Sequence, residues 1–198
     1  MPPADDEQRA KTPAGKRAAS LVDQVLEIDR CFAEGGITHA FGGALALAYY
    51  TSDPRTTADI DINIALDTAR VLEAFQSLPA QVRWRSEHVR IAQVLGEVKL
   101  RWMRQNSIDL FFATHRFHTV AHSRAETVPF AGRQIPILTA TDLTVFKAKF
   151  ARDKDWLDIE EMIRAGTVDT AEALRWAGEL LGTSSTSYNH LVELASRA

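Results

Sequence analysis

Ile37-Thr38-His39-Ala40-Phe41-Gly42-Gly43, followed further on by Ala58-Asp59-Ile60-Asp61-Ile62-Asn63-Ile64, is the most informative stretch of the chain. In its second half Ile60, Ile62 and Ile64 alternate with Asp59, Asp61 and Asn63. A strand here places β-branched side chains on one face and two acids with an amide on the other. Two aspartates at i and i+2 repel, and one takes up a proton unless a counter-charge arrives. A divalent metal is the simplest counter-charge, and magnesium is usually held by one or two carboxylates together with substrate phosphates. The first half predicts a short strand from Thr38 to Phe41, a Gly42-Gly43 turn and a helix from Ala44 to Tyr50. Glycines there let backbone approach a ligand, and the N–H groups that open a helix suit an anion. Together the two halves describe one site, with phosphates on the glycine turn and metal on the aspartates.

Two downstream segments belong with it. Ser107-Ile108-Asp109-Leu110-Phe111-Phe112 reads as an apolar strand with a single acid, which is expensive to bury unless it is paired or ligates a metal. Thr139-Ala140-Thr141-Asp142 opens a helix with Leu143, Phe146 and Phe150 inward, and this runs into Lys147, Arg152, Asp155 and Asp158. Lys147 suits a triphosphate, and Asp155 or Asp158 suits orienting that lysine or receiving an acceptor hydroxyl.

Gly42-Gly43, the helix and Arg55-Thr56-Thr57-Ala58-Asp59-Ile60-Asp61 resemble the signature of the nucleotidyltransferase (polymerase-beta-like) superfamily. They are most like the AbiE-type (AbiEii/MenT-like) toxin branch, in which an Arg stands four residues before the first Asp and a Ser or Thr two before it. Classical small members carry Gly-Ser and a shorter gap than the fifteen residues, 44–58, that separate Gly43 from Asp59 here. That departure argues against the minimal and aminoglycoside-modifying branches. The run Lys147, Arg152, Asp155, Asp158 is similar to the toxin branch as well.

The resemblance implies an α/β (α+β) fold, a small mixed β-sheet core with helices followed by a helical C-terminal half. It implies a metal triad of Asp59, Asp61 and Asp109 holding two magnesium ions. It also implies an NTP substrate contacted by Gly42, Gly43, Arg55, Thr57 and Lys147, with Lys147 and Asp155 in the catalytic set. The acceptor implied is the 3′ end of tRNA, with a cognate antitoxin as partner. Nucleotidylation of a protein or a small molecule, or a non-catalytic nucleotide-binding module, are the alternative readings.

The remaining chain sets bounds. Its 198 residues, 45% hydrophobic and 25% charged, suit one sizeable core. A net charge of −3 gives no global basic field, so a nucleic acid would need a local patch. A single cysteine, Cys31, excludes an intrachain disulfide and reads as a small helix-core residue. No apolar run is long enough to span a membrane and no signal segment opens the chain, so the expected location is cytoplasmic. The division expected is a tail over 1–18, a nucleotidyltransferase core over 19–138 and a helical region over 139–198.

Ser20 caps a helix to Glu34, with Leu21, Val25, Ile28 and Phe32 inward and Gly35-Gly36 as its stop. Asp67 caps a further helix with Val71, Leu72 and Phe75 inward. Lys99-Leu100-Arg101-Trp102-Met103-Arg104 alternates basic and apolar, as a half-exposed strand does. With Arg83, Trp84 and Arg85 it suits RNA binding by phosphate contact and stacking, or an amphipathic strand whose cationic stems cover Trp. Tyr49-Tyr50 suit rim packing or base stacking. His115, His118 and His122 fall near one helix face, as a metal site or as surface and capping residues. Segments 126–130 and 134–138 form a hairpin. Asp169 opens a helix ending at Gly182, and a last helix carries Leu191 and Leu194.

Overall fold

The computed structural model describes residues 19–52, 57–103 and 105–197. The expected tail over 1–18, Arg55 of the motif and Arg104 of the basic strand lie outside the described residues. Ser20 caps α1 (Leu21–Glu34) through a capping box with Asp23, and Val25, Ile28 and Phe32 are buried at helical spacing. Next come β1 (His39–Phe41), α2 (Gly43–Leu47) and β2 (Asp59–Asp67). The Asp67 carboxylate then accepts from the N–H groups of Ala69 and Arg70, opening a 3-10 turn that feeds α3 (Val71–Gln76).

The chain continues as β3 (Val82–Arg83), α4 (Ser86–Leu95), β4 (Glu97–Trp102), β5 (Ser107–Ala113) and α5 (Arg116–Ser123). A hairpin of β6 (Glu126–Phe130) and β7 (Arg133–Ile137) follows. The C-terminal region is helical: α6 (Ala140–Phe150), α7 (Asp153–Arg164), α8 (Thr170–Leu181) and α9 (Thr186–Ala195).

The strands make a mixed seven-stranded sheet in the order β3-β4-β5-β2-β1-β7-β6. The pairs β2–β5 and β1–β7 are parallel and the others antiparallel. Parallel central strands need cover on both faces. On β2 the face of Ile60, Ile62 and Ile64 is fully buried, and on its other face α6 shares a cleft with β2 and β5 while burying Leu143, Val145 and Phe146. One hydrophobic cluster runs from Val25 in α1 to Leu194 in α9, tying the helical region to the sheet.

Three expectations change. The α2 helix is a single turn that stops at Leu47, short of Tyr50. Tyr49 instead donates its hydroxyl to the Pro129 carbonyl and Tyr50 to that of Leu138, which fixes both rings at the rim. Leu72 is 43% exposed; the 3-10 turn before α3 rotates it outward and Ala74 takes the inward place. Trp102 is buried beneath β4, so it belongs to the core and cannot stack on a base. The residues after Arg85 form a helix, α4, whose exposed Val94 and Leu95 leave its sequence without a clear apolar period.

Candidate active site

Strand register assembles the site. β2 and β5 lie side by side in parallel, so Asp61 is level with Asp109 and Asp59 with Ser107. β4 extends the same rows: Lys99 is level with Asp109 and Arg101 with Ser107. Across the sheet from these rows, α6 and the start of α7 supply Phe146, Lys147, Phe150, Arg152 and Asp155. Between them lies a cleft of about 190 Å³, also lined by Gly43, Thr57, Asp59, Asp61, Lys99 and Asp109. The three predicted carboxylates therefore meet in one place.

The electrostatics are those of a site short of positive charge. Burial pushes the Asp61 carboxyl up to about 6, the Asp109 carboxylate beside it adds to the rise, and Lys147 only partly offsets it. Burial also raises Asp109, against the pull of Lys99, whose Nζ lies 3.0 Å from Asp109 Oδ2. Among the described residues no three His, Cys, Asp or Glu side chains close into a ready-made metal cage. The donors that Asp59, Asp61 and Asp109 present to the cleft are nonetheless carboxylate oxygens, partly buried and under-neutralised. That donor set fits a hard divalent cation.

Gly43 is held against this centre. Its φ is +53°, and a Cβ placed on it would lie 1.9 Å from Asp61 Oδ2. Gly42 plays a different part from the one expected. Its N–H donates to the Asp61 carbonyl at 2.9 Å, so it stitches the turn to β2 and offers no donor to a phosphate. Nor does one turn of α2 build an appreciable helix dipole. What the turn supplies is room beside Asp61. Thr57 anchors the start of β2: its hydroxyl accepts from the Asp59 N–H at 3.1 Å.

Lys147 is buried between two acids, in a short contact with Asp158 and 3.5 Å from Asp155. Asp155 also grips Arg152, which caps α7. Burial works against the charge on Asp155, yet Arg152 and Lys147 together hold its carboxyl below the ordinary value. Asp155 and Asp158 thus fix the cations of the cleft wall. Asp155 is fully buried, which suits an orienting role and not contact with an acceptor hydroxyl.

The histidines do not converge. His115 caps α5 by accepting from the Phe117 N–H, and His118 is buried against Phe117 and Phe146. The ring of His122 lies near the Ile64 backbone without an aligned hydrogen bond. Burial pushes both His118 and His122 down to about 4, so both are neutral. Sequence reasoning also missed two cleft residues, Phe111 and Phe150, whose rings pack 5.4 Å apart above the carboxylates. The alternation of β5 carried the signal for Phe111, which shares a face with Asp109.

No family model matches the chain, and no curated protein matches its sequence. Among solved structures it is similar to an antigenic nucleotidyltransferase-like protein from Paracoccidioides brasiliensis. The TM-score is 0.51 at 16% identity, over 91% of this chain and 89% of that one. The chain has a nucleotidyltransferase-like fold. Weaker likenesses run to the lincosamide antibiotic adenylyltransferase LnuA (TM-score 0.47, 12% identity, 72% of this chain and 96% of that one). The antibiotic-resistance factor ANT(2″)-Ia is similar at TM-score 0.44 and 14% identity, over 89% of each chain. Within this nucleotidyltransferase-like fold, the aspartates read from the sequence fall on adjacent parallel strands and open to one cleft. No helix among the described residues is long and apolar enough to cross a membrane.

Proposed function

We propose that the protein is a metal-dependent nucleotidyltransferase that moves NMP from an NTP to the 3′ end of tRNA. One observation carries the reading: Asp59, Asp61 and Asp109 stand on two parallel strands in register, facing a cleft walled by Lys147 and Arg152. Asp59, Asp61 and Asp109 would hold magnesium, two ions as the resemblance implies, whose chemistry is to lower the pKa of an attacking hydroxyl and to stabilise the departing pyrophosphate.

The chain's own residues do the rest. The absence of a side chain at Gly43 leaves space for a phosphate beside Asp61. Lys147 and Arg152, pinned by Asp155 and Asp158, set fixed positive charge where negative charge accumulates. Phe111 and Phe150 give a base an apolar wall. Positioning therefore supplies most of the rate.

A nucleic-acid acceptor is favoured over a protein or a small molecule by the cationic side chains of β4 and β3. Lys99 lines the cleft, and Arg101 and Arg83 are paired level with each other, both exposed, leading from it to the sheet edge. Action as a toxin, with an antitoxin partner, rests on the resemblance of the Arg55–Asp61 motif. The test is to incubate the protein with total tRNA, magnesium and each α-labelled NTP in turn. Label on tRNA that disappears in Asp59→Ala supports the reading. Label on protein alone, or none, overturns the tRNA assignment.

A further inference from the structure

Building on the nucleotidyl-transfer reading, we propose that Lys99 is a built-in competitor for the divalent cation at Asp109. Its ammonium holds that carboxylate when no metal does, and gives it up when a metal binds.

The geometry separates Lys99 from the other cations of the cleft. Lys99 Nζ lies 3.0 Å from Asp109 Oδ2, and strand register sets Lys99, Asp109 and Asp61 in a single row. The side chain of Lys99 is 58% exposed while that of Asp109 is 16% exposed, so the lysine is the partner able to withdraw into water. An ammonium on a four-carbon stem is strongly hydrated and swings with little strain. Lys147 has no such freedom, being 5% exposed and clamped by Asp158 and Asp155, and Arg152 is tied to Asp155.

Asp109 behaves in the opposite way. It is fixed in the middle of β5 beside Asp61, and burial penalises its charge, so it needs a positive partner in every state. A divalent ion would bring twice the charge of an ammonium, and Asp109 and its neighbour Asp61 would both be available to hold it. The exchange therefore runs toward the metal, at an affinity lowered by the competitor. Once released, the ammonium stands at the cleft rim on the strand that also carries Arg101, where an anionic acceptor approaches. Metal loading and anion capture are coupled through one side chain.

The test titrates manganese(II) alone into the full chain at low salt, with free ion read by electron paramagnetic resonance. Lys99→Met should tighten manganese binding by about three- to tenfold, or about 0.6–1.4 kcal/mol at ~1.4 kcal/mol per decade. Lys99→Arg, which keeps a competitor in place, should bind as the native protein does. Arg101→Met removes the same charge from the same face of the same strand, level with Ser107 instead of Asp109, and should stay within about twofold of native.

Equal or weaker binding by Lys99→Met overturns the proposal, as does equal tightening by Arg101→Met, which would reduce the effect to the general field. A Lys99→Arg variant that binds manganese more than about threefold tighter than the native chain also overturns it, and that comparison with the native chain holds if the methionine variant fails to fold. If neither the native chain nor Asp59→Ala binds manganese, the metal site fails, and the functional reading fails with it.

Discussion

Gly43 has the least latitude in the cleft, because two independent constraints meet there. Its φ of +53° disfavours any side chain by about 1 kcal/mol or more, and a Cβ would strike the Asp61 carboxylate. Gly43→Ala should lower stability by about 1–2 kcal/mol in urea titration and abolish transfer, since Asp61 must turn away. Asp61 makes the opposite trade. Its carboxyl titrates near 6 in the fold against 3.8 ordinarily, so its ionised form is disfavoured by folding. Native stability is therefore unpenalised below about 3.8, falls as pH rises, and carries the full penalty above about 6. Asp61→Asn should be more stable than the native chain at pH 8 in chelator, by up to about 3 kcal/mol, and no more stable at pH 4. A midpoint difference that does not change between those pH values would refute the electrostatic account. The same variant should have no transferase activity at either pH.

At the level of elements, β2 and β5 were legible because alternation is a strong two-residue period and their acids fall on its less buried face, opposite the core. The caps were legible too: Ser20, Thr139 and Asp169 each open a helix by accepting from a backbone N–H of its first turn, that of Asp23, Asp142 and Glu172 respectively, which would otherwise be left bare. α4 was not, because its apolar Val94 and Leu95 point to solvent and no long apolar stripe survives. Asp142 shows a second kind of illegibility. In sequence it is an ordinary first-turn acid, but it is fully buried and bonded to Arg124 of the α5 C-cap, which also reaches Glu172 of α8 at 2.6 Å. Only tertiary packing reveals that joint. Arg124→Met leaves Asp142 buried without its cation and should cost about 3 kcal/mol in denaturant titration. Glu172→Gln should cost less than half as much, because Glu172 keeps contact with water and the cation stays paired to Asp142. Equal losses in the two variants would mean that the helices are held by packing and not by this ion network.

Across the whole molecule, the candidate site was more legible than its surroundings. Asp59, Asp61, Asp109, Lys147 and Asp155 line one cleft although they span much of the sequence, because each sits at a fixed register on a strand or a helix that the hydrophobic pattern had already placed. What the pattern could not give was pairing across the sheet: that Lys99 faces Asp109, that Gly42 spends its N–H on Asp61, that Trp102 is core. The net charge of −3 likewise concealed a local asymmetry, an acidic centre flanked on the β4–β3 side by exposed Arg101 and Arg83. A chain with no global attraction for RNA must bind it through such a patch, and the signature of that is a modest salt dependence localised to a few residues. Replacing both Arg83 and Arg101 with Gln should weaken binding of a tRNA acceptor-stem hairpin uniformly across sequences. It should also flatten the slope of log affinity against log salt by about 0.7–0.9 for each phosphate contact removed. Manganese affinity should hold in the same variant, since neither arginine is level with a carboxylate of the triad's Asp61–Asp109 row. Fluorescence anisotropy at several salt concentrations measures both terms. An unchanged slope would move the acceptor off this face and return a protein or a small molecule as the substrate of the same cleft.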